Sequence, residues 1–263
     1  MLAYVSPGEV IRHMGLRLVL VRGVPSPWGQ AAKTILEIKK LDYVAAPLEL
    51  AGANEEIAAW SGQNSAPVVA FAGEKPLNRW DDILRLAERL APTPSLIPAD
   101  PLQRALMWGF ATEICGEGGI GWNRRLQGFG RAVASGKASG QGSGKIHPVS
   151  QALIDKYGFD AEAVKAAPAR IAATLGALAT QLKAQQARGV PYLAGDALSA
   201  LDIYWTSFSN LLVPLPPEQC PMTDAFRAGF TAREPEILAA LDPALLAHRD
   251  RIFKAHFRSP MEF

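Results

Sequence analysis

Residues 91–101, APTPSLIPADP, place four prolines in eleven positions. Each proline holds φ at about −65°, donates no backbone hydrogen bond and pushes the residue before it towards extended backbone. Neither a helix nor a central strand runs through such a stretch, and it reads as a stiff linker. The texture of the sequence changes across it. Upstream, strand and helix signals alternate; downstream, every periodic segment is helical. The chain must therefore join an α/β unit to an all-helical one, with expected bounds of 1–91, 92–100 for the linker, and 101–263.

Upstream, LRLVLVRG reads as a buried strand. Pro27 suits the first turn of a helix running to about Lys40, with Ile35, Leu36 and Ile38 as apolar members. YVAAPLEL reads as a second strand, placed at an edge or bent by Pro47. APVVAFAGEKPLN reads as a hairpin turning at Ala72, Gly73 and Glu74, and RWDDILRLAERLA as an amphipathic helix. The expected order is β-α-β-(loop)-β-β-α. Downstream, Asp100 and Pro101 open a helix to about Glu117. Ile171, Leu175, Leu178 and Leu182 mark a core-facing helix over about 168–188, and Asp242 and Pro243 open the last one. The glycine- and serine-rich run GFGRAVASGKASGQGSGK, 128–145, reads as a surface loop.

Charge excludes some functions. With 27 basic and 25 acidic residues the formal net charge is +2, too balanced for a nucleic-acid footprint. The apolar run 16–21 contains Arg17 and is too short for a membrane span or a signal sequence. No targeting segment is legible, which leads to an expectation of the cytoplasm. Cys115 and Cys220 have neither metal nor redox spacing and read as reduced core thiols. The four histidines have no metal-ligand spacing, so no metal is expected.

Three stretches carry a family resemblance. SPW, from Ser26, is similar to the Ser-Pro-aromatic start of the first helix in serine-type members of the glutathione transferase superfamily, such as the plant tau class. NSAPVVAF resembles the segment in which a residue–proline bond is cis. YLAGDALSALDIYW, from Tyr192, matches the family's F-L-x-G-x-x-x-S-x-A-D helix start, with Ser199 and Asp202 at capping-box spacing. The resemblance spans about 16–257. It implies a thioredoxin-like α/β N-terminal domain followed by an all-α C-terminal helical bundle, with glutathione as co-substrate.

The chemistry fits the first stretch. Only a few per cent of a thiol is ionised at neutral pH. A helix N-terminus, with roughly half a unit of positive charge and free N–H groups, lowers that barrier, and a hydroxyl adds a hydrogen bond to the anion. Ser26 stands at such a position as a catalytic thiolate stabiliser or as a plain N-cap. With Gly29 three residues on there is no C-x-x-C pair, which disfavours thiol–disulfide exchange. Trp28 either floors the pocket or anchors the two halves. The resemblance assigns Ala66, before a cis Pro67, to the backbone clamp on glutathione.

One stretch departs from the family. Where most members carry Glu-Ser or Gln-Ser before the isoleucine of the next helix, this chain has Arg79 and Trp80. Arg79 would hold the γ-glutamyl carboxylate and Asp81 or Asp82 the ammonium, in a rebuilt pocket; otherwise the site does not take glutathione. In the helical half, Trp108, Trp122, Asn123 and the pair Arg124 and Arg125 lie near a run of glycines at 116, 118, 119 and 121, which either forms the region where the family builds its second-substrate pocket or is a helix break with its arginines reaching solvent. Arginine beside aromatics there suits an acidic or aromatic substrate. The expected function is activation of the glutathione thiol for attack on a small electrophile. The alternatives are a non-catalytic ligand-binding or interaction module, or a glutathione-dependent isomerase or lyase. The resemblance further implies a homodimer; neither nucleic acid nor membrane is an expected partner.

Overall fold

A computed structural model of the chain describes residues 2–138 and 146–263. Helix α1 (Pro7–Arg12) precedes strand β1 (Leu16–Val21), α2 (Pro27–Ile38), β2 (Tyr43–Leu48), α3 (Glu55–Ser61), β3 (Val68–Phe71) and α4 (Trp80–Leu90). Then follow α5 (Pro101–Cys115), α6 (Ile120–Ala138), α7 (Pro148–Tyr157), α8 (Ala161–Ala187), α9 (Ala200–Phe208), α10 (Asp224–Phe230), α11 (Pro235–Ala240) and α12 (Pro243–His256). This is a thioredoxin-like α/β unit followed by a helical bundle.

Strand β1 is central, parallel to β2 and antiparallel to β3. Its alternation sorts the core: Leu16, Leu18 and Leu20 join a large cluster with α2, α4, α5 and α9, while Val19 joins a smaller one with Val10 of α1 and Ile57 of α3. Pro47 lies on the edge strand β2, where a missing N–H is tolerated. Part of that edge is covered by the N-terminal arm, as Val5 N–H donates to Ala45 O at 2.9 Å. The expected second hairpin strand shrinks to one bridge, between Val69 and Leu77. Pro76, next to Leu77, has no N–H with which to extend it.

Two expectations for the helical half need correction. The core-facing helix starts at Ala161, capped by Asp160, and Pro168 lies inside it; Ile171, Leu175, Leu178 and Leu182 are fully buried as the spacing predicts. The glycine-rich run is not a loop over its first part, since α6 continues through Gly128 and Gly130 to Ala138. Packing against α8 overrides the low helix propensity of glycine. A Cβ at position 130 would lie 2.7 Å from Val164 of α8, so glycine there lets the two helices meet. Residues 139–145 of that run lie outside the described residues.

Asp202, in the first turn of α9, organises the bundle. Its buried carboxylate accepts from Leu193 N–H (2.9 Å), Ser199 N–H and Oγ–H (both 2.8 Å), and lies 2.9 Å from His248 Nε2. The capping box expected from the sequence is present and extended. Cys115 and Cys220 are buried and unbridged. Among the described residues no helix is long and apolar enough to cross a membrane, and no group of histidine, cysteine or acidic side chains could hold a metal ion.

Candidate functional site

A cavity of about 1420 Å³ opens between the α/β unit and the helical bundle. The α/β side supplies the turn from β1 into α2. Ser26 is the N-cap residue of α2 by backbone geometry, with its C=O accepting from Gln30 N–H at 2.8 Å, but its hydroxyl makes no capping bond. It makes no other hydrogen bond within the described residues, and Ser26 lines the cavity. The first-turn N–H groups of α2, which have no partner inside the helix, lie at the same end.

Trp28 touches the helical bundle and lines the cavity. Its Nε1–H donates to Cys115 O at the end of α5 (2.9 Å), and its ring meets Phe208 of α9 edge-on at 4.8 Å. The contact with α6 is tight: a Cβ at Gly121 would lie 2.5 Å from Phe208 and 2.6 Å from Trp28. Across the cavity, the Ala66–Pro67 bond is cis. Both residues line the cavity, and the N–H and C=O of Ala66 make no hydrogen bond with another described residue.

Arg79, the N-cap residue of α4, stands at the cavity rim. Its Nε and Nη2 are each 3.2 Å from an oxygen of Asp81, a two-pronged pair, with Asp82 at 3.6 Å. Donating hydrogen bonds to the Asp81 carboxylate raises its already high pKa. The side chain is 68% exposed, so the pair is solvated and open to exchange.

Successive arginines of α6 have different surroundings. Arg124 is buried and engaged on every side: it donates to Leu211 O (2.8 Å), Gln127 Oε1 (2.5 Å), Phe230 O (3.1 Å) and Glu234 (3.2 Å). Arg125 has none of these. Its guanidinium lies over Tyr157 (4.1 Å to the ring centroid), Trp28 (4.9 Å) and Trp122 (5.4 Å), all of which line the cavity. Burial pulls its pKa below the ordinary arginine range, and Tyr157 draws it partly back.

No protein-family model matches the sequence, and no curated protein matches it significantly. Solved structures do match. A glutathione S-transferase from Methylobacterium radiotolerans, in complex with glutathione sulfonate, is 16% identical, with 91% of each chain covered and a TM-score of 0.56. A tau-class glutathione S-transferase from mango (Mangifera indica) is 20% identical, covering 92% of this chain and 99% of that one, at a TM-score of 0.52. A β-etherase from Sphingobium is 17% identical, covering 90% of this chain and 100% of that one, at 0.57. The chain has the glutathione transferase fold.

Within that fold the residues singled out from the sequence separate into two groups. Ser26, Trp28, Ala66, Pro67, Arg79, Trp122 and Arg124 line the large cavity. Trp80, Asp81 and Trp108 line a smaller one of about 610 Å³, which shares Arg79, Cys115, Gly116 and Glu117 with the first. There Trp80 packs on Trp108 (5.8 Å) and Tyr204 (5.3 Å), and Tyr204 Oη donates to Trp80 O at 3.2 Å. Sequence reasoning paired Arg125 with Arg124 without separating them, and it passed over Tyr157. Once α6 is known to start at Ile120, Gly121 and Arg125 fall one turn apart on one face, which is the signal for Arg125. Tyr157, at the end of α7, has no sequence signal that would bring it there.

Proposed function

We propose that the protein is a glutathione-dependent transferase of this fold, activating the glutathione thiol for attack on a small electrophile. One observation carries the reading: the unengaged hydroxyl of Ser26 at the start of α2 opens on the same cavity as the unpaired backbone of Ala66. In this reading the cysteinyl backbone of glutathione pairs with Ala66 as an added strand. Its thiolate accepts from Ser26 Oγ–H and from the N-terminus of α2. The ammonium and carboxylate of the γ-glutamyl end exchange with the Arg79–Asp81 pair, which offers both charges. The thiolate then forms a carbon–sulfur bond as the leaving group departs with its electron pair.

The same activated thiolate would serve ether cleavage or isomerisation, and a β-etherase shares the fold. The pairing of Arg79 with Asp81 favours a second reading, a non-catalytic binding module, because the γ-glutamyl carboxylate would have to compete with a carboxylate already in place. A cytoplasmic location, a homodimer and a unit boundary at 92–100 belong to the proposal as well. Titration of the folded protein with glutathione, followed by calorimetry, separates enzyme from module. Saturable binding with turnover of an electrophile supports the first; a folded protein that takes up no glutathione overturns it.

A further inference from the structure

Arg125 presents a charge without an anion. Arg125 is half-buried and lines the cavity, and taking part of a guanidinium out of water costs free energy unless something compensates. Three ring faces offset part of this. Ring faces do not satisfy a guanidinium's in-plane N–H groups, which form a fork matched to two oxygens. No described residue offers Arg125 a carboxylate or a hydrogen-bond acceptor. Its neighbour Arg124 shows what this chain does with a structural arginine: it surrounds it with carbonyls and Glu234. The cavity also exceeds the roughly 300–1,000 Å³ usual for one ligand, which leaves room for a second molecule beside a first.

We propose that Arg125 anchors a carboxylate on the second substrate, and that this substrate is a flat aromatic or conjugated acid lying against Trp28 and Trp122. The inference deepens the proposed function and rests on it. A planar carboxylate fits the fork of Arg125, whose N–H groups pair with two oxygens in one plane. The ring walls favour an unsaturated acid over an aliphatic one by offset or edge-on packing. The electrophilic carbon would lie on the ring or conjugated chain and face Ser26. Attack forms the carbon–sulfur bond there, the leaving group takes its electron pair, and the thiol proton passes to solvent. The carboxylate is unchanged throughout.

The test uses 4-chloro-3-nitrobenzoate and its methyl ester, which differ in charge but share the reactive carbon. Calorimetry without glutathione measures binding of each to the wild type, Arg125→Met and Arg125→Lys. The acid should bind the wild type more tightly than the ester. Arg125→Met should lose roughly 10–100-fold for the acid, the range of a lost charge-assisted hydrogen bond, with the ester unchanged. Arg125→Lys should fall between, having the charge but not the fork; it carries the test alone if Arg125→Met does not fold. With glutathione added, chloride release should show the same preference in kcat/KM. Equal loss for acid and ester, or no loss in either variant, overturns the proposal. The two readings fail separately, since absent glutathione binding sinks the transferase reading while the acid-to-ester ratio still reports on Arg125.

Discussion

Trp28 Nε1 donates to the backbone carbonyl of Cys115 across 2.9 Å, a side chain of α2 bonded to the last residue of α5. One indole thereby ties the α/β unit to the helical bundle at the wall of the cavity. Trp28→Phe keeps an aromatic ring beside Phe208 and deletes the donor together with part of the indole's volume. It should lower the unfolding free energy by about 1–3 kcal/mol, the range for a stranded polar group. Urea unfolding reads this directly, and an unchanged midpoint would show that the bond does not help to join the halves.

Ser26→Ala separates chemistry from capping. A working N-cap serine loses about 1 kcal/mol on truncation, but this hydroxyl caps nothing. Thermal stability should therefore hold, while turnover with glutathione falls roughly 10–100-fold, as expected for one hydrogen bond to a charged sulfur. The rate should also rise at higher pH in the mutant, because the thiolate has lost a stabilising donor. A mutant that melts early with an unaltered pH–rate profile would return Ser26 to a structural role.

Arg79→Ala tests the γ-glutamyl end. Glutathione affinity should drop about 10-fold or more. Ophthalmic acid, which keeps that end and lacks the thiol, should lose the same factor. Calorimetry on both ligands distinguishes this from an effect on sulfur; unequal losses would place the contact elsewhere.

Asp202→Asn should be among the most damaging single changes in the bundle. The carboxylate lies fully buried among four donors. Replacing one oxygen with an NH₂ turns a donor against a donor and leaves His248 without its partner. The cost should be about 3–5 kcal/mol, read as a lower melting temperature or loss of soluble protein, and a mutant that melts like wild type would refute it.

Association is tested by sedimentation at micromolar concentration. A homodimer should run at twice the 28.2 kDa chain mass. A stable two-fold contact would bury upwards of about 1,000 Å². A species at the single-chain mass would remove the dimer from the proposed function.

Much of the fold was legible because its signals are local. The buried strand β1, the proline opening α2, the helical repeat from Ile171 to Leu182 and the Ser199–Asp202 spacing each follow from a few adjacent residues. The errors arose where a distant element decides. Gly128 and Gly130 look like loop residues, but α6 runs through both and α8 packs against Gly130. The site divides in the same way. Ser26, Ala66 and Pro67 could be picked out by motif. The different surroundings of Arg124 and Arg125 could not be read there, because they depend on where α6 begins and on Tyr157 arriving from α7.

Gly121 limits how this cavity can be redesigned. With the Trp28 and Phe208 rings against the bare backbone of α6, any side chain at 121 would have to displace aromatic rings. The indole of Trp28 would move, and with it the bond to Cys115. Enlarging or reshaping the pocket for a chosen acceptor therefore has to proceed from Trp122 and Tyr157, whose side chains can be trimmed without moving the backbone. Position 121 behaves as a fixed spacer, and a library that randomises it should return mostly unfolded or unjoined proteins alongside the parent glycine.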